Sequence, residues 1–306
     1  MAKIAFLFPG QGSQYVGMGK DLYETYPEAK AVYDQADELL GFKLSQLSFE
    51  GPEEELRKTL NTQPALLVHS AAVLAVLRTK KMRADIAAGH SLGEYSALLA
   101  AGSLSFEAAL RLVRRRGELM WQEGTTNPGT MAAIIGLDEA AVIKLCQEVE
   151  GIVVPANFNE PTQIVVSGQV PAVERAMELA RRRGALKVVR LPVSGAFHSP
   201  LLADSALRFR EFLAQFEIGQ PAFPVVANVT GELEQTAALV RSNLERQLTS
   251  PVRWTRTIQT MRTLGCERFY EVGAGKVLSG LVRRIDRAAT SIPLGRVEEL
   301  NALTSA

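Results

Sequence analysis

Ile86-Ala87-Ala88-Gly89-His90-Ser91-Leu92-Gly93-Glu94 is the stretch on which the reading of this chain turns. A short apolar run enters a G-x-S-x-G pattern, and the run Tyr95 to Ala101 that follows is helix-like. That order predicts a strand, a sharp turn and a helix. In such an elbow the serine sits on a strained turn with its Oγ exposed at the top of a sheet. Gly89 and Gly93 have no Cβ, which lets helix and strand pass close together. A helix start behind Ser91 aims free backbone N–H groups at any negative charge that develops there. The stretch therefore points to a nucleophilic serine and acyl transfer. The competing reading is a glycine-rich binding turn, so a base and an oxyanion donor are needed to decide.

The search for a base is short, because the chain has three histidines. His69 lies in the apolar run Leu66-Leu67-Val68-His69-Ser70-Ala71, where a helix-packing role is expected. His90 adjoins Ser91, and neighbours on a sharp turn point apart. It is a poor base, although it can line the site. His198, in Leu191-Pro192-Val193-Ser194-Gly195-Ala196-Phe197-His198-Ser199-Pro200, follows a strand end, where functional groups are displayed. His198 is the base candidate by elimination, against the alternative of a surface-loop histidine. A serine needs such a base, and the base needs a group to hold its tautomer. No acid stands out for that task. Asp204 has nothing to distinguish it, so a backbone carbonyl is the alternative.

Phe8-Pro9-Gly10-Gln11-Gly12-Ser13-Gln14 is a glycine loop leaving the first expected strand. Its glycines do not match a dinucleotide fingerprint, and no Gly-Lys-Ser/Thr follows. A loop at the same sheet edge as the elbow suits a second oxyanion donor. Arg111, Arg114, Arg115 and Arg116 crowd one expected helix. Most of them must be a solvated face, and spacing does not select one that turns inward to pair with a carboxylate.

Strands and helices alternate along the chain. Lys3 to Phe8 reads as a strand, and Tyr26 to Leu40 and Gln63 to Leu77 as helices. A helix starting at Ser105 is expected to run through Arg116, followed by a loop at Thr125-Thr126-Asn127-Pro128-Gly129. Then come a strand (131–135), a helix (138–149), a strand (151–157), a turn at Asn159-Glu160-Pro161, a strand (163–167), a helix (171–183) and a strand (185–192). The order βαββαβ is that of a small ferredoxin-like unit. It reads as an insertion at 127–194 into a larger core of 1–126 and 195–306, because Phe223 to Val229 and Arg268 to Val272 read again as buried strands. The tail after Arg296 is expected to be poorly ordered.

Composition narrows the class. At 47% hydrophobic and 22% charged, the 306 residues fit an ordinary globular protein. A net charge of +1 gives no global field for nucleic acid or an anionic membrane. No signal peptide is seen, and no stretch approaches the ~18 uncharged apolar residues of a membrane span. Cys146 and Cys266 stand in unrelated contexts, which indicates neither a disulfide framework nor a zinc site. A cytoplasmic location follows by default.

Five motifs occur in order: Phe8-Pro9-Gly10-Gln11-Gly12-Ser13-Gln14, Asn61-Thr62-Gln63-Pro64-Ala65, Gly89-His90-Ser91-Leu92-Gly93-Glu94, Gly195-Ala196-Phe197-His198-Ser199-Pro200 and Glu271-Val272-Gly273. Together they closely resemble the malonyl-CoA:acyl-carrier-protein transacylases of bacterial type II fatty-acid synthesis, over roughly Lys3 to Ile285. The resemblance implies a hydrolase-like α/β core with a parallel sheet, carrying the inserted ferredoxin-like subdomain. It implies Ser91 as nucleophile, His198 as general base and acid, and the backbone N–H groups of Gln11 and Leu92 as oxyanion donors. It places the carboxylate-binding arginine at Arg116 and the His-orienting main-chain carbonyl at Gln247. Phe197 resembles the malonyl-selective form of its motif. Ala274 and Leu202 depart from the family's usual Pro and Met, away from these positions.

The implied partners are malonyl-CoA and an acidic acyl carrier protein, with no cofactor, no metal, no nucleic acid and no membrane, and a monomer is expected. Arg181-Arg182-Arg183 with Lys187, or Arg283 with Arg284, are candidate carrier-protein patches. Three alternatives stay open. The chain could be an acyltransferase of polyketide synthesis or malonate decarboxylation, a serine esterase or thioesterase, or a binding module. The esterase reading sits poorly with a chain in which about a hundred residues follow His198 and no acid is evident.

Overall fold

The structure, a computed structural model, describes residues 3–193 and 195–303. Ser194, at the expected subdomain boundary, and residues 304–306 lie outside the described residues. Two sheets organise the chain. The larger contains β1 (Lys3–Phe8), β2 (Ile86–Gly89), β7 (Val225–Val226), β8 (Leu233–Glu234), β9 (Cys266–Val272) and β10 (Thr290–Leu294), in the order β10-β9-β1-β2-β7-β8. All neighbours in it pair parallel except β7 with β8. The smaller contains β3 (Gly129–Ile135), β4 (Val153–Glu160), β5 (Gln163–Gln169) and β6 (Lys187–Arg190), antiparallel, in the order β4-β5-β3-β6.

The central strand shows why the apolar run at the N-terminus forms a buried parallel strand. Phe6 and Phe8 pack on one side with the helices Thr59–Thr79 and Phe106–Thr126. Ala5 and Leu7 pack on the other with Trp254, Ile258, Leu278 and Val282, from the helices Trp254–Thr263 and Val277–Ile285. Both faces are covered, so the strand is apolar throughout rather than alternating. A third core lies between the smaller sheet and the helices Glu139–Glu148 and Val170–Arg182. This is the expected ferredoxin-like unit on an α/β core.

The helix Thr59–Thr79 is long and apolar enough to cross a bilayer, contrary to the sequence expectation, yet 83% of its apolar window is buried inside the fold. A helix apolar on all sides is one surrounded by protein. Pro64 inside it lacks the N–H that would bond the Leu60 carbonyl. Arg114 Nη1 donates to that carbonyl instead, at 3.0 Å.

Several boundaries move. The helix capped by Ser105 does not stop after Arg116 but runs to Thr126, through the expected loop residues. Gly117 is no stop signal there. A Cβ on it would lie 2.9 Å from the Leu60 Cα, so this glycine lets two long helices cross closely. β4 continues through Asn159 and Glu160, which were expected to turn. Of 223–229 only Val225–Val226 is strand, because pairing to Ala87 and Ala88 ends there. The tail folds into a helix at Val297–Asn301, with Leu300 buried and Glu299 accepting from the Gly295 and Arg296 N–H groups. Glu271 accepts from the N–H groups of Leu278 and Ser279 at 2.9 and 2.7 Å, joining the end of β9 to the helix start that follows it.

The chain is tightest where β2 becomes the helix Gly93–Ala100. A Cβ on Gly89 would sit 1.9 Å from the Gly93 backbone, and one on Gly93 would sit 2.2 Å from the Phe8 carbonyl oxygen. Neither neighbour is a side chain that can swing away. Gly93→Ala is therefore expected to lower the unfolding free energy by about 1–3 kcal/mol, the usual cost of overpacking. Urea unfolding checks this, and an unchanged midpoint would mean the elbow has slack that these distances deny.

Candidate active site

The elbow holds Ser91 at φ 52°, and the loop after β6 holds His198 at φ 57°. Non-glycine residues in this left-handed region are strained, and they persist only where the surroundings fix them. At Ser91 the fixing group is Asn228, just beyond β7. Its Oδ1 accepts from the Ser91 N–H at 2.7 Å, and its Nδ2 donates to the Gly89 carbonyl at 2.6 Å. Gln247 Nε2 donates to the Ser91 carbonyl at 3.0 Å. Ser199 closes the turn after His198 by donating to the Ala196 carbonyl at 2.6 Å.

These two strained residues meet. Ser91 Oγ and His198 Nε2 are 2.8 Å apart. His198 Nδ1 faces the carbonyl oxygens of Gln247 and Ser250, each at 3.0 Å. Carbonyls only accept, so Nδ1 must carry the proton and Nε2 must be the acceptor. Ser91 Oγ–H then donates to Nε2, the arrangement a general base requires. Burial, reinforced by the Arg116 guanidinium, lowers the His198 pKa to about 3, against the pull of the two carbonyls. His198 rests neutral. Among the described residues no carboxylate touches it, and Asp204 is an exposed first-turn residue of the helix Ala203–Leu213.

Arg116 is 1% exposed. Its Nη2 donates to Ser91 Oγ at 3.0 Å and its Nη1 to Gln63 Oε1 at 2.8 Å. Gln63 Nε2 in turn donates to Met120 Sδ at 3.3 Å. Among the described residues no carboxylate pairs with this guanidinium. The neighbouring arginines differ. Arg111 pairs with Glu107, and Arg114 and Arg115 pair with Glu118. Burial also lowers the Arg116 pKa. A buried cation without an anion is costly, so the site favours an anionic ligand group there.

Gln11 and Leu92 line the same cavity of about 110 Å³ as Ser91, Arg116 and His198. A Cβ on Gly10 would lie 2.4 Å from the His90 carbonyl oxygen, which shows how closely the glycine loop lies on the elbow. Among the described residues neither the Gln11 nor the Leu92 N–H has an acceptor. His90 also borders the cavity, and its Nε2 lies 2.9 Å from Asn159 Oδ1 of β4. A wider groove of about 620 Å³ shares Gln11, Leu191 and Val193 with the cavity and adds Arg57, Lys58 and Arg190.

All six residues singled out from the sequence are thus gathered at one place. His69 is elsewhere, buried against Tyr33 OH at 3.0 Å. Of the candidate patches, Arg182 and Arg183 pair with Glu178 and Glu148, and Arg284 bridges to Glu160 of β4. Gln63 was quoted only within a motif, and Asn228 and Ser250 were not singled out. The one signal for Asn228 is a polar residue ending an apolar run.

A serine between a neutral imidazole and a buried guanidinium, at the tip of a parallel α/β sheet, is an arrangement suited to transferring an anionic acyl group. Residues 5–293 match the acyl transferase domain family, and the chain belongs to it. It is similar to the malonyl CoA-acyl carrier protein transacylase of Bacillus subtilis (strain 168), at 47% identity over 98% of this chain and 96% of that protein. It is 44% identical to the one from Escherichia coli (strain K12), over 99% of both chains. Among solved structures it is similar to an acyl carrier protein S-malonyltransferase from Vibrio cholerae, with TM-score 0.95, 43% identity, and 99% and 100% of the two chains covered. It is equally similar, at TM-score 0.95 and 42% identity over 98% of each chain, to a malonyl-transacylase solved in complex with its type II PKS acyl-carrier protein.

A base whose pKa lies well below the usual 6.5 stays deprotonated as pH falls through 6.5, and is lost only near its own low value. The free-enzyme kcat/KM for the acyl donor is therefore expected to stay flat from about pH 8 to about pH 5. A halving of the rate near the ordinary imidazole pKa would show His198 to be far better solvated than its burial implies.

Proposed function

We propose that this protein carries a malonyl group from malonyl-CoA to the phosphopantetheine thiol of an acyl carrier protein, through a malonyl ester on Ser91, to supply fatty-acid elongation. The observation that carries the reading is the pair of contacts on one atom. Ser91 Oγ lies 2.8 Å from His198 Nε2 and 3.0 Å from Arg116 Nη2, a nucleophile between its base and an unpaired buried cation. The names of the similar proteins supply the substrates.

In the first half-reaction Ser91 Oγ attacks the thioester carbon while His198 Nε2 takes its proton. The N–H groups of Gln11 and Leu92 hold the tetrahedral oxyanion, a donation worth about 3–4 kcal/mol per donor in related chemistry. The C–S bond breaks, and His198 returns the proton to the departing CoA thiolate. In the second half-reaction the carrier's thiol gives its proton to His198 and attacks the ester, and Ser91 leaves with that proton. Arg116 leaves Ser91 Oγ for the malonyl carboxylate, which provides the anion it lacks. The wider groove takes the pantetheine arm, and Arg57, Lys58 and Arg190 on its walls, paired in the free protein with Glu53, Glu55 and Glu174, turn to the phosphates of CoA or the acidic carrier. The enzyme acts in the cytoplasm as a monomer.

Intact-protein mass after incubation with malonyl-CoA is expected to rise by one malonyl group in the unmodified enzyme and not in Ser91→Ala. Substrate consumed with no adduct would point to hydrolysis, and no change in either would return the site to a binding role. Arg116→Ala is expected to lower kcat/KM for malonyl-CoA by roughly two to four orders of magnitude, the equivalent of the 3–5 kcal/mol lost when a buried pair is broken. Phe197, 7% exposed, walls the cavity where an α-methyl branch would sit. Methylmalonyl-CoA is expected to be a poor donor, and comparable turnover of the two thioesters would contradict this.

A further inference from the structure

Among the described residues no acid touches His198, yet a carboxyl group lies one residue beyond the atoms that hold it. Glu94 is 0% exposed, in the first turn of the helix that starts behind Ser91. Burying a carboxyl group costs several kcal/mol unless its oxygens are well occupied. Both are. Oε1 accepts from the Asn228 N–H at 3.1 Å, and Oε2 accepts from Gln247 Nε2. Burial and the nearby Glu234 carboxyl raise the Glu94 pKa well above the usual carboxylate range, while these two donors pull it down.

The two donors are the two residues that hold the reacting pair. Asn228 brackets the elbow through the Ser91 N–H and the Gly89 carbonyl. Gln247 accepts from His198 Nδ1 with its main-chain oxygen at 3.0 Å and donates to the Ser91 carbonyl with its side chain at 3.0 Å. Gln247 Oε1 has no partner among the described residues, so the donations from Nε2 alone set the amide's orientation. An apolar residue at position 94 would cost less to bury and would leave both holders loose.

We infer that Glu94 is a positioning residue for the transfer reaction, holding Ser91 through Asn228 and His198 through Gln247. It takes the part of the acid in a serine–histidine–acid triad, displaced by one residue: the acid holds the group that holds the histidine. The inference rests on the Ser91–His198 reading above.

A double-mutant cycle tests it in the full-length enzyme with malonyl-CoA and holo carrier protein. Glu94→Gln puts an amide NH2 where one of the two accepting oxygens stood, and Gln247→Ala removes the other end of the link while keeping the main-chain carbonyl. Each is expected to lower kcat on the order of 100-fold, as misplacement of a reacting group does. KM for malonyl-CoA is expected to stay within about threefold, because neither substitution removes a hydrogen bond of Arg116 or Gln63. The double variant is expected to be no slower than the slower single variant, because both act along one path. The acid limb of the pH–rate profile is expected to move up toward the ordinary imidazole range, as a loosened His198 gains water.

Multiplicative losses in the double variant would overturn the inference. So would a lowered unfolding temperature with kcat and pH profile unchanged, which is the behaviour of a residue that only stabilises the fold. If Glu94→Gln fails to fold, Gln247→Ala must by itself lower kcat and move the acid limb, and its failure to do so sinks the idea. The unmodified enzyme is the control. Absence of a malonyl adduct on Ser91 there would defeat the functional reading itself, whereas an adduct with unaffected variants defeats only the role of Glu94.

Discussion

The close crossing of the helix Gly93–Ala100 over the carbonyl ends of β1 and β2 is the constraint on which the rest of the structure depends. Backbone meets backbone at Gly89, Gly93 and Phe8, at separations that no side chain would permit. The crossing forces the intervening Ser91 into the left-handed region, and a serine there must be held. Asn228 holds it from the end of β7, which explains why so short a strand has a place in the sheet. The crossing also lays the Gly10–Gln11 loop on the elbow, so two backbone N–H groups from separate strand ends line one small cavity.

Electrostatics at the site follow from burial. His198 and Arg116 are buried beside the half-buried Ser91, and the charged form of each is penalised there. The imidazole therefore rests neutral, and Gln63 and Ser91, which accept from the guanidinium, are themselves neutral. The arrangement lacks one negative charge. A substrate with a carboxylate provides it, and a substrate without one leaves the cation stranded. On the proposed reading, selectivity for an anionic acyl group and readiness of the base share one cause.

The inserted subdomain is more than an appendage, because β4 is sewn to the turn that orients His198. The Phe158 N–H donates to the Val252 carbonyl at 2.9 Å, and the Val252 N–H to the Ala156 carbonyl at 2.8 Å. Val252 follows closely on Ser250, one of the two carbonyls facing His198 Nδ1. His90, beside the nucleophile, reaches Asn159 of the same strand. β6 then runs into Leu191 and Val193, which wall both cavity and groove. The smaller sheet supplies one wall of the site and braces its base.

The alternation of strands and helices, the βαββαβ insertion, the elbow at Ser91 and the choice of His198 among three histidines were legible in the chain because each depends on local backbone chemistry or on scarcity. Boundaries set by remote contacts were not. The helix through Arg116 runs on to Thr126 because Gly117 meets another helix, and the segment after Arg296 folds because Leu300 finds a buried place. Arg116 and Gln247 were reached only through the resemblance to a family, since spacing within an arginine-rich helix does not say which guanidinium turns inward. Glu94 was in plain view beside the elbow and had no visible task, because its partners Asn228 and Gln247 are more than a hundred residues away. The sequence by itself determined where the backbone must bend sharply and which serine that bend presents. Only the tertiary structure decided which distant donors, acceptors and cations surround it, because burial and hydrogen-bond geometry belong to the packed chain and not to any segment of it.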